Sequence, residues 1–267
     1  EMCPKYDIVF IDEAQDLSPV QWKMVDIIRK NSTYLILAGD DDQAIYGWAG
    51  ADVKKFQDEP SKKDIILPQS FRVPGRVQQI ANKILDRIPD ERRIKKIWQP
   101  RKDEGFIDHI TSVEGIPLSK GDWLILARTN DRLNKIKPVL QDMGIYFQFK
   151  NRKSYKASLF RSITNYTRWA DKNEKLSLTE IKDIFDCIPC DNFGVKEERL
   201  YNLKEFGFSN TERWFDVFTL DPEGCLYIRE MLRHKEELSK DARVKLSTIH
   251  SAKGGEATNV LLILDNT

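Results

Sequence analysis

The 267 residues contain no Gly-Lys dipeptide, so they hold no loop of the G-x-x-x-x-G-K-[ST] kind whose amides and Lys cradle nucleotide phosphates. Cysteine is scarce: four residues are too few for a disulfide scaffold and suggest a reducing compartment. No apolar run approaches the roughly 20 residues a bilayer demands, which excludes a transmembrane helix. The opening Glu1-Met2-Cys3-Pro4 has no apolar stretch of a secretory signal. Together these absences read as an intracellular, cytoplasmic protein. Charge of one sign is also lacking. Lys+Arg number 43 against 42 Asp+Glu, for a formal +1, which excludes a wholly basic nucleic-acid coat and leaves local patches open. There is no internal repeat and no low-complexity segment.

What is present can build a core. Hydrophobic residues make up 40% of the chain, with 6 Trp, 8 Tyr and 13 Phe, which rules out wholesale disorder. At roughly 150 residues per domain, there is room for one large domain or two modest ones. A continuous apolar run reads as a buried parallel strand. Such runs stand near both ends, at Ile8–Ile11 and Val260–Leu264, so the expectation is a fragment of something longer, the alternative being a compact protein with short tails.

Between those ends, the expected strands are 8–12, 34–38, 64–67, 106–110 and 123–127. Helices are expected over 19–30 after Ser18, over 74–88 with Pro near the start, and over 130–143 closed by Gly144. Strand–helix alternation predicts an α/β fold with parallel sheets covered by helices. From about Tyr166 to Ala242 the strand runs vanish and short helical stretches rich in Lys, Glu and Asp take over. Strand texture returns at 244–248 and 260–264. Helices inserted into an α/β domain explain this better than two domains in tandem.

The sharpest local signal is Val9-Phe10-Ile11-Asp12-Glu13-Ala14-Gln15-Asp16. An apolar strand ending in Asp-Glu puts two carboxylates at the sheet's C-terminal edge, where α/β folds bind ligands. One acid can hold Mg²⁺ on nucleotide phosphates while its neighbour orients or deprotonates a water. A solvated turn capping the next helix is the alternative. The second signal is Gly39-Asp40-Asp41-Asp42-Gln43-Ala44-Ile45-Tyr46-Gly47-Trp48-Ala49-Gly50-Ala51. Gln43 stands one strand over from Asp12, within reach of the same phosphate. Tyr46 and Trp48 sit in a Gly-rich stretch, an odd place for core aromatics and a suitable one for stacking on unpaired bases. For Trp48 the alternative is a domain-interface anchor. Asp40 to Asp42 is a weak metal cluster, because three consecutive acids cannot all face one ion.

Asp-Glu-Ala-Gln-Asp followed by Gly-Asp-x-x-Gln-x-Ile-Tyr-x-Trp-x-Gly-Ala resembles motifs II and III of the UvrD/Rep group of superfamily 1 DNA helicases. Leu67-Pro68-Gln69-Ser70-Phe71-Arg72 resembles motif IV, and Leu246 to Glu256, with His250 and Lys253, is similar to motif V. The resemblance runs from Ile8 to Glu256. It implies RecA-like parallel sheets with flanking helices. Residues 1–66 would form the C-terminal part of a first RecA-like domain, 67–165 and 243–267 two segments of a second, and 166–242 a helical insertion corresponding to a reduced regulatory subdomain.

In that family Asp12 would bind Mg²⁺ and Glu13 would activate the attacking water. Gln43 would contact the γ-phosphate of ATP. Phe71 would stack on adenine in place of the usual Tyr, Arg72 would act as an arginine finger, and Glu256 would hold the ribose. Trp48, Tyr46, Thr248 and His250 would line the single-strand track. The resemblance implies an ATP-driven DNA helicase of repair or replication that travels 3′ to 5′, with single-stranded DNA and duplex junctions as partners and no membrane. Closing of a cleft between two RecA-like domains on ATP would step the track. The missing phosphate-cradling loop and a final Arg motif would lie outside these residues, so the chain alone is expected to be inactive.

Besides Phe71, three residues depart from the family pattern: Ala49 where Arg is frequent, Gly255 where Leu is usual, and Ser70 where Asn is usual. None removes a catalytic group. Two other readings stay open: a single-strand-binding remnant without ATPase, and a helicase subunit of a helicase–nuclease. Basic residues interleaved with aromatics from Lys150 to Trp169 suit either a single-stranded backbone or a solvated helix face with core aromatics. The run from Arg92 to Lys102 is a weaker candidate for phosphate contact. Cys187-Ile188-Pro189-Cys190 is a lone C-x-x-C without the further paired ligands zinc needs.

Overall fold

The computed structural model describes residues 3–118, 120–188, 197–209, 211–236 and 241–264. The chain divides into two compact units, residues 1–109 and 110–267.

In the first unit, the apolar run after Lys5 forms β1 (Tyr6–Ile11) and pairs in parallel with β2 (Ser32–Leu37), with Ile11 opposite Leu37. The crossover between them is α1 (Pro19–Lys30). Its start is fixed by Ser18, whose hydroxyl accepts from the Gln21 amide while the Gln21 side chain accepts from the Ser18 amide, a reciprocal cap with Pro at the first helical position. Trp22 and Val25 of α1 bury against Ala14, with Ile11, Leu35, Leu37 and Phe56 around them. Alternation along the strands leaves Tyr6, Ile8 and Phe10 of β1 and Tyr34 and Ile36 of β2 exposed on the opposite face. Two short helices follow, α2 (Val53–Gln57) and α3 (Gly75–Leu85).

Residues 64–67 and 106–110, expected as strands, form none. Both carry apolar residues, but a strand exists only where a ladder partner accepts its backbone groups. The nearest pairing is a single bridge between Gln69 and Gln99. Residues 67–109 fall within the first compact unit.

The second unit holds a five-stranded sheet of order β5-β4-β6-β3-β7. β3 (Trp123–Ala127) is flanked in parallel by β6 (Val244–Thr248) and β7 (Asn259–Ile263), with Trp123 opposite both Val244 and Asn259, so the last two strands return across the intervening helices to a strand formed much earlier in the chain. β4 (Phe147–Phe149) extends the parallel set, and the short β5 (Arg152–Lys153) pairs antiparallel at the edge. α4 (Asn130–Asp142) buries Leu133 and Leu140 on the sheet. A run of helices begins with α5 (Ala157–Lys172). It continues through α6 (Leu178–Phe185), α7 (Trp214–Val217) and α8 (Pro222–Arg233). Its core is built on Phe160, Ile163, Tyr166 and Trp169 of α5 with Ile181, Ile184, Tyr201, Phe218 and Met231. The architecture is α/β, with parallel-dominated sheets flanked by helices. Among the described residues, no helix is long and apolar enough to cross a membrane.

Candidate nucleotide and nucleic-acid site

Parallel pairing of β1 and β2 brings two chain exits side by side at the C-terminal edge of the sheet. The backbone ties them: the Ala38 amide donates to Ile11 O at 2.8 Å and the Ala14 amide to Ala38 O at 3.0 Å. From the first exit come Asp12 and Glu13, both exposed. Glu13 holds a left-handed backbone (φ 53°), a costly conformation for a residue with a Cβ, and its amide donates to Asp12 Oδ1 at 2.9 Å. From the second exit comes the turn Asp41–Gln43, capped by Asp40, whose carboxylate accepts from the Asp42 amide. The Gln43 side chain donates to Asp40 Oδ2 at 2.7 Å.

Gln15 joins the two. It is fully buried, its Nε2 donates to Glu13 Oε2 at 2.6 Å, and its Oε1 accepts from the Asp40 amide at 2.9 Å. Gln15 was not among the residues that the sequence pattern singled out. The readable signal was an amide inside the acidic motif itself, two residues past the water-activating candidate. The fit is close: a Cβ on Gly39 would lie 2.5 Å from Gln15 Oε1 and 2.8 Å from Phe56 Cζ. Gly39→Ala is therefore expected to destabilise the first unit by about 1–3 kcal/mol, the cost of overfilling a packed site. Urea unfolding checks this, and an unchanged midpoint would refute the packing.

The three acids after Gly39 are satisfied by cations from far along the chain. Arg93 grips Asp42 with two bonds, Nε to Oδ1 at 2.8 Å and Nη2 to Oδ2 at 3.1 Å. Lys96 reaches Asp40 Oδ1 at 2.6 Å and also bonds Asp41. Asp41, its side chain 2% exposed, further accepts from the Ile94 amide at 2.6 Å and from Gln57 Nε2 at 2.8 Å. Burial pushes the Asp41 carboxyl up, but Lys96, the Ile94 amide and Gln57 together hold it below its ordinary value. Burial likewise lowers Lys96, and its bonds to Asp40 and Asp41 outweigh that and raise it. The carboxylate oxygens lie close enough together for a metal ion, but the Lys96 ammonium occupies that role. The same contacts turn Arg93 and Lys96 inward, so these two members of the 92–102 run are structural and not phosphate contacts.

Two of the single-strand candidates, Trp48 and Tyr46, lie in the same unit. Trp48, in a tight turn at Gly47–Ala49, is 76% exposed, and Tyr46 is half-buried with its ring centroid 6.5 Å from that of Trp48. Ala49, in the position where the resemblance has Arg, is exposed in the same turn. Phe71 is 87% exposed and Arg72 is exposed beside it. Ser70 orders their loop: its hydroxyl accepts from the Arg72 amide at 3.3 Å and the Val73 amide at 3.1 Å. That is the turn-capping work an Asn performs, which explains why Ser serves there.

In the second unit, Thr248 ends β6 beside Ala127 of β3, at the C-terminal edge of its own sheet. Its hydroxyl bonds Ser251 Oγ at 2.9 Å and accepts from the Ser251 amide, opening the turn that carries half-buried His250 and Lys253. Gly254 takes φ 78° there, and Glu256 is exposed just beyond. The aromatics of the 150–169 stretch divide from its cations. Phe160, Tyr166 and Trp169 are buried core, and the Tyr166 hydroxyl donates to Glu212 O. Arg168 pairs with Glu174 at 2.9 Å and Glu180 at 3.0 Å. The stacking reading of those buried rings is thereby overturned. Lys150, Arg152, Lys153 and Lys156 stay exposed. Of the Cys-x-x-Cys, Pro189 and Cys190 lie outside the described residues; Cys187 is a free thiol.

Residues 1–64 match the family model of the UvrD/REP helicase N-terminal domain. The proteins named ATP-dependent DNA helicase PcrA of Staphylococcus epidermidis and of Staphylococcus aureus are each 24% identical to the chain over 235 residues, covering 80% of it. The chain spans about a third of the length of these relatives, 31% of each. The matched segment carries Asp12, Glu13, Gln43 and Trp48, the residues that the two adjacent strand exits present, and in this segment the chain is similar to the UvrD/Rep type of superfamily 1 helicases.

Proposed function

We propose that the chain is part of an ATP-dependent DNA helicase that couples ATP hydrolysis to 3′ to 5′ movement on single-stranded DNA and to unwinding at duplex junctions. The observation that carries this reading is the pair of adjacent strand exits: Asp12 and Glu13 on one, Gln43 on the other, joined through Gln15 and Asp40. An exposed carboxylate at the end of a parallel strand is the hard oxygen donor that Mg²⁺ prefers. Asp12 is the ligand in this reading, and the metal supplies charge neutralisation on the ATP phosphates when bound. Glu13, oriented by Gln15, takes the proton of the attacking water. Gln43 meets the γ-phosphate. Phe71 and Arg72 serve adenine and γ-phosphate and Glu256 the ribose, as the resemblance assigns them. Thr248 and His250 join Trp48 and Tyr46 on the strand track.

No segment of these 267 residues supplies the phosphate-cradling Gly-Lys loop. The chain by itself is therefore expected to hydrolyse no ATP, and the full-length protein to hydrolyse it with stimulation by single-stranded DNA. The test is that stimulated turnover together with Trp48→Ala. A ring this exposed supports no core, so the variant is expected to fold normally. It should bind single strands about 5- to 150-fold more weakly, the scale of one lost stacking contact. Fluorescence anisotropy of a labelled oligonucleotide measures it, and unchanged affinity would remove Trp48 from the track.

A further inference from the structure

We propose that Gln15 is a positioning residue that couples Glu13 to the phosphate-sensing turn at Asp40–Gln43, so that movement at one reorients the other. This rests on the helicase reading above. Gln15 lies on the turn Ala14–Asp16, fully buried, and both ends of its amide are committed. The donor end is spent on an exposed carboxylate, Glu13 Oε2 at 2.6 Å, and the acceptor end on the Asp40 amide at 2.9 Å. Asp40 in turn accepts from Gln43 Nε2 at 2.7 Å and from Lys96 at 2.6 Å. The bonds form one line, Glu13 to Gln15 to Asp40 to Gln43, across both strand exits.

A buried amide held for stability alone would be satisfied equally by backbone partners. This one instead fixes one oxygen of the carboxylate assigned to the water, on a residue whose backbone is itself held in the left-handed region. Glycine at 39 is what admits the Gln15 oxygen here, since a Cβ would reach within 2.5 Å of it. Because the two ends of one amide bond the Asp40 amide and the Glu13 carboxylate, a shift of the Asp40 amide moves Gln15, and with it the Glu13 carboxylate. A general base acts only when it sits within hydrogen-bond reach of its proton, so a displacement on the order of 1 Å is enough to switch it.

The test uses the full-length protein and the variant Gln15→Met, which keeps the size and loses both bonds. The expected result is a fall of about 10- to 100-fold in kcat for DNA-stimulated ATP turnover, with KM for ATP within about threefold. Hydrogen exchange at the Asp40 amide should become fast in Gln15→Met. In a Glu13→Gln background, Gln15→Met should lower kcat by less than about twofold further, because the carboxylate it positions is gone. A purely structural Gln15 would lower kcat by the same factor in both backgrounds, and that result, or unchanged kcat in Gln15→Met, overturns the proposal. Absence of ATP turnover in the unsubstituted protein would instead overturn the helicase reading, and the coupling role with it.

Discussion

Glu13→Gln in the full-length protein is expected to lower ATP turnover by about 10²- to 10⁴-fold, the contribution of a positioned general base. ATP and single-stranded DNA should still bind. The substitution preserves shape and, through its carbonyl oxygen, the bond from Gln15 Nε2 that now falls on Glu13 Oε2. It removes only the ability to take a proton. Asp12→Asn should differ in kind: losing the metal ligand weakens Mg²⁺-dependent ATP binding, so extra Mg²⁺ should recover part of the activity, whereas Glu13→Gln should be insensitive to it. Rapid-quench measurement of a single turnover at saturating ATP separates the two. Turnover within about threefold of the unsubstituted protein would remove Glu13 from the chemistry.

The parts of this site legible in sequence are those that local pattern determines. The run Val9-Phe10-Ile11 could only be a strand, and the acids after it could only stand at its end. The strands at Trp123–Ala127 and Val244–Thr248 were legible for the same reason. Residues 64–67 and 106–110 have equal strand capacity, but pairing is a property of two segments and only one is visible in a window of sequence. The role of Asp40 to Asp42 was hidden by distance, since Arg93 and Lys96 lie 51 to 56 residues away. A run of acids and a run of bases each look like binding patches until the fold shows that they bind each other. The aromatics of α5 carry a readable periodicity. Phe160, Ile163, Tyr166 and Trp169 recur every three residues, which is a buried helical stripe, while Arg161 and Arg168 fall beside it.

Lys96→Met tests whether those facing charges are structural. Removing one partner of a buried ion pair leaves the other without compensation, and the expected loss is about 3–5 kcal/mol in the first unit, seen in urea unfolding. The pH dependence identifies the cause. In the unsubstituted protein Asp41 is held below 3.8, so its contribution to stability is complete above that pH and is lost as pH falls through the lowered value. Lys96 is held above 10.5, so its contribution is complete below that pH and fades as pH rises past it. Without Lys96, burial becomes the dominant influence on Asp41, whose carboxyl should then titrate above its ordinary value. Protonation would relieve the uncompensated charge, so the two stability curves should lie furthest apart near neutral pH and converge as the medium is acidified toward about pH 4. Curves that stay parallel across this range would mean that Lys96 stabilises the unit by its packed alkyl chain and not by its charge.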